Sequence, residues 1–199
     1  MGMILRKREC LRRNIDGMLR RRESGQAGWV TGLFLTLFLA VLLYAMLLME
    51  QYRAAALYLE DALTASNLAS AVIDVEEYGI SHTILIANPQ EAYERYLWAV
   101  KGNLNLDDRW KGADGSLIEG PVEVVNYTVY NVRDDGVAAY RFDGNGVLSQ
   151  WQESLSGAKA PNNVPILSTS VYSELKFEMG GFPGMRIEAY KGNLVDITS

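Results

Sequence analysis

The chain has 199 residues, 49% of them hydrophobic and 22% charged, and a formal net charge of −5, a size that allows one or two domains. The charge is uneven: Met1 to Gly25 carries eight Lys/Arg against three acids, a net +5, and the remaining residues carry eleven against twenty-one, a net −10. An acidic main part excludes nucleic-acid binding, which needs basic patches. The single cysteine, Cys10, excludes an internal disulfide, so packing alone must hold the fold.

Residues 1–25, MGMILRKRECLRRNIDGMLRRRESG, read as a basic cytoplasmic leader. Trp29 to Met49 follows with no charge in 21 residues and only Thr31, Thr36 and the tip of Tyr44 as polar groups. About 20 apolar residues cross a hydrocarbon core of about 30 Å, so this stretch is expected to lie in a lipid bilayer. It is too long for a secretory h-region and no small-x-small cleavage site follows it, so it is expected to stay with the protein. The basic flank places the amino terminus inside and the carboxyl-terminal part outside the cytoplasmic membrane. Between Gly32 and Gly79 there is no Gly and no Pro. One long helix is therefore expected over residues 26–78, transmembrane over 29–49 and amphipathic over 50–78, with Gly79 as its C-cap.

Directly before the apolar stretch stands Arg20-Arg21-Arg22-Glu23-Ser24-Gly25-Gln26-Ala27-Gly28, a basic cluster followed by glycine and glutamine. Here the chain resembles the prepilin class, in particular the TadE-like pseudopilins of Tad (Flp) pilus systems. The resemblance implies a prepilin peptidase cut between Gly25 and Gln26. It also implies other pilin-like subunits, the pilus assembly machinery and the bilayer as partners, and release into a cell-surface filament. It departs at Val30, where that family carries a glutamate, which implies a place at a tip or in initiation and not along a shaft. The alternative is an uncut signal anchor holding an extracytoplasmic binding or sensor domain.

In the outer half of the helix, Arg53, Glu60, Thr64, Asn67 and Asp74 fall on one stripe, expected to face water, and Ala55, Ala62, Ala65, Ala69 and Val72 fall on roughly the opposite one. The small residues form a packing face for another helix or a sheet.

Residues 79–199 are expected to be an extracytoplasmic α+β head. Ser81 to Ala87 reads as a short strand, Gln90 to Leu104 as an amphipathic helix after the Asn88-Pro89 start signal, and Asn103 to Glu119 as a polar loop. Strands are expected over Pro121 to Val132, Val137 to Phe142, Val147 to Ser154, Val171 to Met179, Met185 to Tyr190 and Leu194 to Ile197, with hairpin signals at Asp134-Asp135-Gly136 and Asp143-Gly144-Asn145-Gly146. The long helix and the Gln90 helix are the available covers for an antiparallel sheet.

No nucleophile elbow, phosphate loop or Cys/His set is present, so no catalytic residue, metal or cofactor is expected. His82 is the sole histidine and has no partner ligands nearby in sequence. The acidic residues of the Asn103–Glu119 loop, Asp114 among them, are out of register with a calcium loop.

Overall fold

The computed structural model describes residues 2–113, 118, 120–180 and 186–198, with only the backbone described for residues 2–27 and Gly180. The chain divides into two units, Met1–Glu50 and Gln51–Ser199, and helix α1 (Gly2–Ser70) contributes to both.

In the first unit, α1 carries the apolar stretch. Among the described residues, Gly28–Ser70 contains the one helical segment long and apolar enough to cross a membrane, and none of its most apolar window is buried. Phe34, Leu35, Phe38, Leu43 and Leu47 are all more than half exposed. A core helix of a globular domain buries such side chains; a run of this length left bare has the character of a membrane anchor.

The second unit is the α+β fold expected from the sequence. Five strands, β1 (Glu123–Arg133), β2 (Gly136–Asp143), β3 (Leu148–Ser154), β4 (Ser170–Gly180) and β5 (Arg186–Asp196), form one sheet in the order β3-β2-β1-β4-β5. Every pairing is antiparallel. Period-two alternation decides which face each side chain takes: in β4, Val171, Ser173, Leu175, Phe177 and Met179 are buried, and Glu174, Lys176 and Glu178 are partly exposed. On one face lie the Gln51–Ser70 part of α1 and helix α3 (Pro89–Asn103), sharing a core with Tyr127, Val129, Phe142, Val171 and Leu175. On the other, the 155–168 loop brings Ala158, Ala160 and Ile166 over Tyr130, Val137, Ala139 and Tyr172. Tyr172 thereby breaks the expected alternation and is buried.

The turns fall where the hairpin signals stand. Asp134 takes a positive φ of 52° between β1 and β2. Between β2 and β3, Asp143 accepts the N–H groups of Asn145 and Val147 at 2.9 and 2.8 Å, and Gly146 has φ +75°, a value glycine adopts without steric cost.

Three expectations are corrected. First, α1 stops at Ser70 instead of running to Tyr78. The chain turns through Ala71 and Val72 into a bridge between Ile73 and Ile86, closed by Asp74 N–H to Leu85 O (2.8 Å) and Ala87 N–H to Val72 O (3.2 Å). Pairing with residues 85–87 wins over helix continuation at two β-branched residues. Asp74 then takes an extended conformation and caps helix α2 (Val75–Ser81), accepting Glu77 N–H at 3.0 Å, as a short acidic side chain favours. Gly79 lies inside α2, and its C-cap is His82 at φ 56°.

Second, Ser81 to Ala87 is no strand beyond the single bridge at Ile86. Its backbone is held by side chains instead. The Asn131 amide accepts Ile86 N–H at 2.8 Å and donates to Ile86 O at 3.0 Å, and Thr169 donates to Ile84 O at 2.6 Å while accepting Val132 N–H at 3.0 Å. Asn131→Ala leaves both polar groups of a buried backbone without their partner, so a loss of about 1–3 kcal/mol is expected. Chemical denaturation, together with faster amide exchange at Ile86, checks it; unchanged exchange there would show that the clamp is idle.

Third, Lys191-Gly192-Asn193 does not break the last strand: β5 runs through it as eleven continuous residues. Gly192 serves close packing here, since any Cβ at that position would collide with the Tyr172 ring.

Candidate functional site

The helix surface expected to mediate packing is only partly the surface that packs. Ala55 and Ala62 are buried, whereas Ala65, Ala69 and Val72 are exposed. The face laid on the sheet runs Ala55, Leu59, Ala62, Leu63, Ser66, Asn67 and Ser70. Leu59 and Leu63, both at 0% exposure, release far more apolar area from water than an alanine does. Their azimuth therefore sets the helix rotation and turns Ala65 and Ala69 outward.

The stripe expected to face water holds at Arg53 and Glu60, which are exposed, and is corrected at Thr64 and Asp74, which are half-buried, and at Asn67, which is buried. Glu60, Thr64 and Asn67 lie along β5: Lys191 Nζ donates to Glu60 Oε2 at 2.8 Å, Asn193 Nδ2 to Thr64 Oγ1 at 2.6 Å, and Asn67 Nδ2 to Asn193 O at 3.3 Å. These are polar side chains at an edge strand, where hydrogen bonds replace water without burying unpaired charge.

Toward its end the seat of α1 turns polar. Tyr127, central in β1, donates its hydroxyl to Ser70 Oγ at 2.8 Å, and Ser70 donates on to Asn67 O at 2.7 Å. Asn103, at the end of α3, donates to Ser66 Oγ at 3.0 Å and accepts the Tyr58 hydroxyl on its carbonyl at 2.9 Å. The Tyr96 hydroxyl lies beside that of Ser173, and neither makes a hydrogen bond of good geometry among the described residues. Burial pushes the Tyr127 and Tyr96 hydroxyls well above the usual tyrosine range, and the Ser70 contact only partly offsets this for Tyr127. Tyr93 stacks on Phe142 with ring centroids 4.5 Å apart, and Tyr96 lies on Tyr127 at 4.6 Å. The tyrosines are thus structural pillars between α3 and the sheet.

A cleft of about 740 Å³ opens where α3 meets the β2–β3 turn, lined by Tyr93, Leu97, Arg109, Trp110, Glu123 and Asn145 among others. Its volume is that of a small-ligand pocket. The loop carrying Arg109 and Trp110 is braced by Asp107, whose carboxylate accepts Arg109 N–H at 2.8 Å and Lys111 N–H at 2.9 Å. Those bonds, Lys111's first, hold the Asp107 carboxyl below its ordinary value. Trp110 sits at φ 60°, a strained conformation for an aromatic residue and of the kind stored at binding sites. Periodicity places Tyr93 and Leu97 on the apolar face of α3 but carries no signal for the cleft itself, because its other walls are loop residues and strand ends.

The predicted processing residues Gly25 and Gln26 lie on the backbone of α1, and their side chains are outside the described residues. Asp114 is also outside them. Among the described residues no group of three or more His, Cys, Asp or Glu is placed to hold a metal ion, and His82 makes an edge-on contact with Tyr78 at 5.9 Å. Comparison with family models, with curated proteins and with solved structures finds no match to this chain.

Proposed function

We propose that the chain is a pilin-like structural or assembly component of a Tad-type pilus or a related secretion apparatus, with its amino terminus in the cytoplasm and its head outside. The supporting observation is the double use of α1. One stretch of it, Trp29 to Met49, is apolar and bare, and the next five turns, from Gln51, supply core residues of the head. A subunit made this way carries its head wherever its apolar helix packs, which is what lateral assembly of helices requires.

The leader decides whether that assembly can occur. Residues 1–25 carry a net +5, and several arginines cannot be drawn into an apolar helix bundle. Removing them after Gly25 would leave a mature chain starting at Gln26. Amino-terminal sequencing of protein from its native host is expected to read Gln26 first, and a Gly25→Leu variant is expected to keep Met1 and to be lost from surface assemblies. A wild-type chain still starting at Met1 would move the assignment to an uncut, anchored binding domain. That second reading has the Trp110 cleft in its favour.

A further inference from the structure

The sheet has one unguarded edge. β3 pairs with β2 on one side only, and six of its seven residues are exposed, with Glu153 alone partly covered. Trp151 is the most covered of its large apolar side chains, at 39% exposure. The direction of its backbone groups follows from two hydrogen bonds that flank it, Asp143 N–H to Val147 O and Leu155 N–H to Asp135 O. Alternation along an antiparallel ladder then points the odd-numbered residues toward β2 and Leu148, Gln150, Gln152 and Ser154 outward. Ser154 O is taken by Gly157 N–H. The outward N–H and C=O groups of Leu148, Gln150 and Gln152 have no hydrogen-bond partner among the described residues.

Such edges are ordinarily blunted by lysine, proline, a bulge or a covering element. The sequence of β3, LSQWQES, contains no lysine, arginine or proline, and its register against β2 has no shift. The opposite edge is different: β5 carries Arg186, Glu188, Lys191 and Asp196, and Glu60 and Thr64 of α1 reach its Lys191 and Asn193 side chains.

We propose that β3 pairs edge to edge with β3 of a second copy of this chain, antiparallel about Trp151, to make one continuous sheet across two heads. The strand is nearly its own complement. Centred on Trp151, the full seven-residue length overlaps, and Gln150 faces Gln152 of the other copy with their outward backbone groups in register for hydrogen bonding. Trp151 meets Trp151 at a non-hydrogen-bonded site, where side chains approach most closely. Aromatic pairs across strands are stabilising. The only charge, Glu153, meets Ser149 and not itself, whereas centring the pair on Glu153 would oppose two carboxylates. The pairing stands on the sheet alone and holds whether or not Gly25 is cut.

Disulfide trapping in the full-length chain, in native membranes and in a Cys10→Ser background, reads the register directly. Trp151→Cys is expected to give a disulfide-linked dimer under mild oxidation. Ser149→Cys and Glu153→Cys are each expected to stay monomeric alone and to cross-link when coexpressed. Leu167→Cys, at 73% exposure, reports random collision. Gln150→Pro removes an outward N–H without touching the ladder to β2, a position where edge strands accept proline; it is expected to abolish the 149–153 cross-link while the circular dichroism of the head is unchanged. The proposal is overturned if Trp151→Cys cross-links no more than Leu167→Cys, if Ser149→Cys alone cross-links as well as the mixed pair, or if the cysteines capture only a different protein.

Discussion

Proline in place of Leu57 is expected to destabilise the head by about 3 kcal/mol or more, although the Leu57 side chain is itself 63% exposed. The effect comes from the backbone. Proline at this position removes the N–H bond to the carbonyl of Arg53 and drives its ring against that turn. The neighbours Ala55 and Leu59 are at 1% and 0% exposure and belong to the core shared with Tyr127 and Leu175, so a kink here moves buried side chains off their seat. Leu57→Ala keeps the helix and exposes nothing new, so its cost should stay within about 0.5 kcal/mol. Denaturant titration of the detergent-solubilised chain, following the head by near-ultraviolet circular dichroism, separates the two. Equal midpoints for the proline and alanine variants would mean that residues 51–70 are a connector after all.

Raising the pH is expected to unfold the head cooperatively, starting near pH 10. Tyr96, Tyr127, Tyr93, Tyr130 and Tyr172 are all held above the ordinary tyrosine value, in each case chiefly by burial, and Tyr172 is pushed up to about 12 with help from Glu174. The folded state therefore keeps these protons after an unfolded chain, ionising near 10, has begun to lose them. Their contribution to stability is complete below about pH 10 and is lost as the pH rises toward 12 and beyond. Because these shifts share one direction and one cause, ionising the tyrosines and unfolding the head are coupled. Tyrosinate absorbance and far-ultraviolet circular dichroism should change together in one steep transition. Tyr127→Phe should move its midpoint to higher pH while costing about 1 kcal/mol at neutral pH for the lost Ser70 bond. A gradual titration with the circular dichroism intact would refute the assignment of these hydroxyls to the core.

Where one signal dominates, the sequence predicts the structure well. The alternation from Val171 to Met179, the Asn88-Pro89 start of α3 and the glycine-containing turns at Gly136 and Gly146 each place an element with little ambiguity, because one local force decides each of them. Local signals fail where a distant partner decides. Nothing near Ala71 says that Ile73 will bridge Ile86, and the alanine stripe says nothing of the pull that Leu59 and Leu63 exert on helix rotation. Gly192 looks like a breaker until Tyr172, twenty residues earlier, is seen lying over it. The Trp110 cleft is illegible for the same reason, since its walls come from separate stretches between Tyr93 and Gly146.

The contacts of β5 with α1 also set an order of events. Lys191 reaches Glu60 and Asn193 reaches Thr64 across 131 and 129 residues of chain, so the first and last elements of the head complete each other. As the polypeptide is made, α1 and α3 emerge early, but β4 cannot be flanked on its outer side until β5 follows. In the interval the β4 edge stands open to any strand nearby. A nascent head is therefore most vulnerable to mispairing during the synthesis of its last few dozen residues, and truncations that remove β5 should aggregate instead of merely losing affinity or activity.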